Sequence, residues 1–418
     1  MRNVLSSAIA VSVLASVVLA QVPPGLSRAP ANSTIFTTGT GGNVPGATVQ
    51  QISFQRLPGQ AAGKWTACLT VTGLSTTWGG SGGSDLFIAE LDRTTNPPTL
   101  KKTLEAKNLN GFGTEFGLMI DRTGKYAVFD RSSGVYFAHR TGPGVAFGTP
   151  VAVQGFGIIA PSFVDPSLGY VRDLATNTIK LTMFWVSNGK IVMNFLNITN
   201  LSAPKIDLTK SVVVVNPAKS GTPNSPTPAD GPDGETEGLF TAEVAGSDND
   251  MFWAEDLRAT TPHTILIDTT NWINNGGFSG GMFHWADSGA PSYHVVDAQG
   301  AWLLGDDEKI GGQADVFGAA FKKGRTPLFM AIFMSGKTTT APLTIPGING
   351  KFGLDLTAGF QLLGSFNITG ADERGATSFP IPPNTGFVGK SVSLQGLAID
   401  PVNRVNTFTN TAFFYFRA

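Results

Sequence analysis

The chain has 418 residues, among them 51 Gly, 26 Pro and 29 Phe, with 14% charged residues, a formal net charge of -1 and a single cysteine. Glycine at that level without a three-residue period excludes a helical bundle and collagen, and a 41% hydrophobic content excludes a disordered chain. The charge balance leaves no electrostatic footprint for nucleic acid or anionic lipid, and the lone Cys68 excludes a disulfide framework and a cysteine-ligated zinc site.

Residues 1–20 carry Arg2, then an apolar run of small residues from Ala8, ending in Val18-Leu19-Ala20. This is the pattern of a secretory signal peptide. The run is shorter than a bilayer span, and Pro23-Pro24-Gly25 would end any helix, so the expectation is an exported chain without a transmembrane span. Residues 21–34 read as a linker. Cys68 lies in the strand-like run Trp65 to Val71 and reads as a buried apolar residue, because nothing nearby would lower its pKa.

Beyond the linker, helical periodicity is absent, and short runs rich in Val, Ile, Phe, Thr and Trp recur between Gly, Asn, Asp and Pro clusters. Such runs occur at Asp85–Leu91, Lys125–Asp130, Gly134–His139, Ile179–Val186, Lys190–Phe195 and Asp250–Glu255. The fold class is therefore all-β. The runs also repeat in order. Thr114–Gly124 with Asp121, Ala160–Gly169 with Asp165, and Ser225–Gly234 with Asp230 each precede a strand, a turn and a strand. A weaker copy runs from Phe278 through His284, Asp287 and Tyr293 to Trp302. Steps of roughly 45 to 65 residues match a propeller blade, and with a further unit upstream about five blades fit residues 35–296.

Residues 297–418 lose the repeat and read as six or seven strands between Pro-Gly turns, the size of an immunoglobulin-like β-sandwich. Ser391–Ile399 alternates apolar and polar residues with a one-step slip at Gly396, which predicts a β-bulge. The predicted fold is an approximately five-bladed β-propeller followed by a β-sandwich.

The run Ser225-Pro-Thr-Pro-Ala-Asp230, followed by a Gly turn and a strand, resembles the repeats of TolB-like secreted bacterial propellers and the blade order of five-bladed glycosidase propellers. The spacing Ile381-Pro-x5-Val388-Gly-x5-Gln395-x4-Asp400-Pro401 resembles a carboxy-terminal module of secreted proteins from planctomycete-type and similar bacteria. These resemblances imply an exported location and the architecture; they bring no catalytic residues with them.

Candidate chemistry divides four ways. Gly277-Phe-Ser279-Gly-Gly281 has the spacing of a nucleophile elbow, with His284 or His294 and Asp287 or Asp297 nearby, but that motif needs a helix directly after the serine. His284 and His294 could also approach one another as metal ligands if their strands pair. Asp230, Asp233 and Glu235 crowd one oxygen-rich loop, for which calcium is the fitting cation. A glycosidase would need carboxylates across the propeller channel, and Glu115, Asp121, Asp165, Asp230 and Glu237 are the candidates on or beside first strands, although a recurrent Asp is also a turn-forming residue. Trp185 and Trp253 should pack between blades, while Trp78, Trp272 and Trp285, with His284, are the candidates for ligand contact beside Gly-rich loops.

The favoured reading is a secreted, non-enzymatic binding or surface-associated protein, with an extracellular glycan or cell-surface component as its partner. The alternative is an exported carbohydrate-active hydrolase using channel carboxylates. A serine hydrolase around Ser279 comes third.

Overall fold

The computed structural model describes residues 34–37, 48–55, 57, 60, 64–92, 99–132, 134–156, 164–173, 178–215, 222–228, 238–244, 248–254, 264–267, 273–279, 282–287, 292–297, 300–304, 308–309, 311–321, 328–368, 374–388, 390–402 and 404–417; between 222 and 309 this is essentially backbone. The signal-peptide segment, Asp230, Asp233, Glu235, Glu237 and Trp272 lie outside the described residues.

Strand β1 (Thr34–Thr37) is followed by four sheets of four consecutive strands. Blade 1 is β2 (Thr48–Gln55), β3 (Lys64–Thr72), β4 (Ser84–Asp92) and β5 (Thr99–Lys102); blade 2 is β6 (Glu115–Ile120), β7 (Tyr126–Arg131), β8 (Gly134–His139) and β9 (Val151–Ala152). Blade 3 is β10 (Ser167–Asp173), β11 (Thr178–Ser187), β12 (Lys190–Phe195) and β13 (Val212–Val215); blade 4 is β14 (Thr222–Pro228), β15 (Gly238–Val244), β16 (Asp248–Ala254) and β17 (Thr264–Ile267). The fifth sheet combines β18 (Ile273–Ser279), β19 (Met282–Asp287) and β20 (Ser292–Asp297) with β1, which supplies its outer strand. The first strand of each blade contacts the neighbouring blade, and β18 and β19 of the fifth contact β2 of the first, so the ring closes. This is a five-bladed propeller.

Two-sided burial explains the composition. In β3, Trp65, Ala67, Leu69 and Val71 belong to one cluster with Ile52, Phe54, Phe87 and Leu91, while Cys68 faces the opposite cluster with Leu86, Ile88, Leu118, Ile120 and Phe129 of blade 2. In β7 the alternation repeats: Phe129 packs toward blade 1 and Val128 toward blade 3, where it joins Leu181, Met183 and Trp185. These two strands are thus buried on both faces and have few positions for charge. Cys68 is buried and free, and burial pushes its thiol up to about 12. Trp185 sits against Phe156 of the blade 2 side, with ring centroids 4.9 Å apart, so it packs between blades as its sequence context predicts.

Two expectations are corrected. The Asp121 and Asp165 repeats are out of register by one strand: Asp121 follows the inner strand β6, whereas Asp165 precedes the inner strand β10. The turn before Gly134 corresponds to the turn before Lys190, which aligns β7 with β11 and leaves Asp165 a strand early. Trp302 does not complete the fourth copy; it falls in a strand of the carboxy-terminal sheets, and the last blade is closed by β1 instead. The Pro-rich segment Thr222–Pro228 is the inner strand of blade 4, and it tolerates prolines because an inner strand pairs on one side only.

The remaining strands are β21 (Gly300–Leu304), β22 (Glu308–Lys309), β23 (Gln313–Phe321), β24 (Leu328–Ser335), β25 (Thr338–Thr344), β26 (Ile348–Asn349), β27 (Lys351–Leu354), β28 (Gln361–Ile368), β29 (Arg374–Pro380), β30 (Ser391–Asp400) and β31 (Val405–Arg417). No described sheet mixes them with β1–β20. The sheet β21-β23-β29 faces the sheet β22-β31-β30-β24-β28 across a core of Val316, Met330, Ile332, Ile368, Ile381 and Leu394, which is a β-sandwich. The bulge expected at Gly396 is present, where the β30–β31 register shifts between Gln395 and Leu397. A Cβ at Gly396 would meet Met330 Sδ and Thr409 Cγ2 at 2.9 Å each, so the close approach requires glycine.

The bulge turns Gln395 into a buried fastener. Its Oε1 accepts from Gly353 N at 2.8 Å, and its Nε2 donates to the carbonyls of Lys351 and Thr409, each at 2.8 Å. Gln395→Ala takes the acceptor from Gly353 N and removes the amide donor from the carbonyls of Lys351 and Thr409, and a loss of about 3 kcal/mol in denaturant-derived stability is expected. A loss below 1 kcal/mol would show that water replaces the amide.

Candidate functional site

The propeller has two rims, set by strand direction. The upper rim carries the starts of the inner strands and the second-to-third-strand turns; the lower rim carries the opposite ends. Six residues of strand separate them by about 20 Å.

On the upper rim, at the seam of blades 1 and 2, the loop 103–114 meets the loop 73–83. Gly83 has φ +85°, and a Cβ there would lie 2.8 Å from the carbonyl of Gly113, so the two loops approach through glycine. Glu115 is fully buried: its Oε1 accepts from Arg131 Nε at 2.8 Å and from Gly111 N at 3.1 Å. Burial raises its pKa, and the Arg131 guanidinium opposes that rise without cancelling it. Asp85, also fully buried, accepts from Ser81 N at 3.0 Å and Ser81 Oγ at 2.9 Å. Trp78 is half-buried, edge-on to Phe87 at 6.0 Å, with Lys102 Nζ 5.7 Å above its ring. It braces blade 1 more than it faces solvent. The aromatic ring that stands free on this rim is Phe112, 101% exposed between Gly111 and Gly113. A search restricted to tryptophan overlooks it.

At the next seam, between blades 2 and 3, Asp130 Oδ2 accepts from the backbone N–H groups of Val164 and Asp165, both at 3.0 Å. Burial first, and the neighbouring Asp165 carboxylate second, push Asp130 up to about 8. Asp165 holds φ 44°, a left-handed conformation unusual for a residue with a Cβ. Sequence reasoning named Asp165 and missed Asp130, which hides inside an apolar strand.

Asp121 lies on the lower rim, fully buried. Its Oδ1 accepts from Lys125 N and Tyr126 N; its Oδ2 accepts from Thr123 N, Thr123 Oγ1 and Tyr170 Oη. Both oxygens are thereby committed to closing the turn between β6 and β7 and tying it to blade 3.

That tie forms one wall of a cleft of about 1140 Å³ between blades 2 and 3, lined by Tyr126, Tyr170, Lys180, Phe195 and both arms, Leu196–Thr199 and Lys205–Lys210, of the segment 196–210. The segment is fastened at several points. Asn197 and Lys205 exchange backbone hydrogen bonds at 2.9 and 3.1 Å, Gln154 N donates to Pro204 O, and Ile206 N donates to Gln154 O. Gly155 must be glycine, since φ is +106° and a Cβ would lie 2.3 Å from Ile206 O. Beneath the segment, buried Asn194 accepts from Trp185 Nε1 at 3.1 Å and donates to Asp207 O and Ser211 Oγ. Asp207 Oδ1 accepts from Thr209 N and Oγ1, and these bonds hold its carboxyl below the ordinary range. The cleft therefore presents a fixed set of hydroxyls (Thr199, Thr209), an amide (Asn197), lysines (Lys180, Lys205, Lys210) and the ring of Phe195, over which Lys180 Nζ sits at 5.1 Å.

The backbone decides the Ser279 and histidine readings. Ser279 ends β18 opposite Met282, which begins β19, so a strand hairpin occupies the place where a nucleophile elbow requires a helix. The nucleophile-elbow geometry expected at Ser279 is overturned. His284 pairs with Val295 and His294 with Trp285, so the two histidine positions are out of step by one residue although their strands do pair. No side chain is described for His284 or Trp285. Among the described residues, no group of three or more His, Cys, Asp and Glu side chains is placed to hold a metal.

The class defined here is a five-bladed propeller joined to a β-sandwich. No family model and no curated protein matches the sequence. Among solved structures the chain is similar to TolB from Agrobacterium tumefaciens, at 12% identity over 68% of this chain and 94% of that one, with a TM-score of 0.27. It is also similar to Trypanosoma rangeli sialidase, at 7% identity over 84% of this chain and 83% of that one, with a TM-score of 0.29. The fold assignment rests on the sheet order and the closed ring of blade contacts. Among the described residues no helix is long and apolar enough to cross a membrane.

Proposed function

We propose that this is an exported, non-catalytic binding protein whose propeller holds a carbohydrate in the lower-rim cleft between blades 2 and 3. The observation that carries the reading is the cleft itself: a space of about 1140 Å³ where exposed hydroxyl, amide and ammonium groups sit beside an aromatic ring on a segment locked in place. Sugars present alternating hydroxyls and apolar ring faces, and such a mixed, preorganised wall suits them. Export of the chain after cleavage near Gln21, a division into a propeller of residues 35–296 and a sandwich of 297–418, and kinship with TolB-like secreted propellers belong to the same proposal.

The test is a glycan array on the mature chain, followed by titration of the best ligand. Phe195→Ala and Lys205→Ala should each weaken binding about ten-fold, the worth of one ring face or one charged hydrogen bond. Binding unchanged in the double variant, or absent from the wild-type chain, defeats the cleft assignment.

A second reading, glycoside hydrolysis at the upper rim, is favoured by one observation. Asp130 is held protonated near neutral pH beside Asp165 on the next blade, the division of labour between acid and base that such chemistry uses. Its test is turnover of aryl glycosides: the reading requires activity that falls at least a hundred-fold in both Asp130→Asn and Asp165→Asn.

A further inference from the structure

At the seam of blades 1 and 2, two carboxylate oxygens, Asp85 Oδ2 and Glu115 Oε2, are buried without a hydrogen-bond partner among the described residues. Both side chains are fully buried. Their other oxygens are well served: Asp85 Oδ1 by Ser81 N and Oγ, Glu115 Oε1 by Arg131 Nε and Gly111 N. One residue links the two halves, because Gly111 N donates to Glu115 while its carbonyl accepts from Ser81 Oγ, the hydroxyl that also reaches Asp85. A serine hydroxyl has one hydrogen and cannot satisfy both acceptors at once.

The charge count is equally unbalanced. Arg131 pairs with Glu115 and spends its Nη2 on the carbonyl of Leu109 at 2.6 Å, and among the described residues Asp85 has no ion pair. An interior that leaves a negative charge and two acceptor oxygens unmatched is costly, since an unpaired buried charge is penalised by several kcal/mol. A cation held between the two side chains, which Ser81 and Gly111 link, would supply the missing positive charge and a partner for the unmatched oxygens. All the available donors are hard oxygens, from carboxylate, hydroxyl and carbonyl groups, which selects calcium over a soft transition metal.

We propose that a calcium-class divalent cation binds at the upper rim between Asp85 and Glu115, with the Ser81 hydroxyl and the Gly111 carbonyl as further oxygen donors and solvent completing its shell. The site differs from the acidic loop of Asp230, Asp233 and Glu235. It clamps the 73–83 loop to the 103–114 loop, and so sets the position of Phe112 on the rim.

The experiment uses the full mature chain, freed of metal by chelation and titrated with calcium or magnesium while heat release and the unfolding midpoint are followed. Two protein carboxylates and few neutral donors place the expected dissociation constant at about 10⁻⁴ to 10⁻³ M, the range of extracellular modules. The midpoint should rise by several degrees with calcium and by less with magnesium. Asp85→Asn should abolish the rise, and Ser81→Ala, which leaves both carboxylates intact, should weaken binding several-fold and keep the fold measurable if Asp85→Asn does not express. Absence of any cation effect on the wild-type chain overturns the site. So does a calcium response that survives unchanged in both Ser81→Ala and Glu115→Gln, because the ion would then reside elsewhere.

Discussion

Asp121→Ala is expected to cost about 4 kcal/mol of stability, the largest single-residue loss on the lower rim. The alanine leaves the backbone donors of Thr123, Lys125 and Tyr126 and the hydroxyls of Thr123 and Tyr170 without their acceptor, in a place with no exposure. Each buried donor so abandoned costs about 1–3 kcal/mol, and partial relaxation of a surface-proximal turn keeps the sum below the full total. Tyr170→Phe removes one of these bonds and should cost about 1 kcal/mol. Because Tyr126 and Tyr170 both line the cleft, ligand affinity should fall with the stability of this turn. Urea unfolding of the three proteins measures the difference. An Asp121→Ala loss under 1 kcal/mol would mean that the carboxylate is held in the turn without supporting it.

How far this arrangement could be read from the sequence varies with the range of the interaction. The strands of blades 2 and 3 were legible because burial on both faces demands near-continuous apolar text, as in Leu181 to Trp185. The bulge at Gly396 was legible because a slip of one residue moves every later side chain to the other face. The outer strands were not: β5, Thr99–Lys102, is short and mostly exposed, so it carries no apolar signature. Closure by β1 was equally hidden, since Thr34 pairs with His294 and nothing local marks that partner. The candidate sites follow the same division. Glu115 and Asp165 were recognisable as carboxylates near strand starts, but their seams are created by contacts between blades that no repeat pattern encodes. The cleft escaped notice because the segment 196–210 is shaped by bonds to Gln154 and Asn194 rather than by a motif.

Asp130→Asn is expected to leave stability near pH 3 within about 1 kcal/mol of wild type, to raise it by about 1–2 kcal/mol at pH 5 and by about 5 kcal/mol at pH 8.5. The carboxyl titrates near 3.8 when exposed and at about 8 in the fold, so the folded chain keeps a proton that the unfolded chain has lost across that interval. Where the folded state binds more protons, stability falls as pH rises, by about 1.4 kcal/mol per pH unit for one proton. The contribution of protonated Asp130 is therefore fully present below pH 4 and is lost progressively toward pH 8, where ionisation would set a buried charge beside Asp165. Asparagine mimics the protonated acid: its Oδ1 still accepts from Val164 N and Asp165 N, and it has no charge to release. Unfolding midpoints of wild type and variant should diverge steadily between pH 5 and pH 8.5, with the variant higher. Parallel curves would show that Asp130 is ionised in the fold at neutral pH, and would remove the acid that the hydrolytic reading requires.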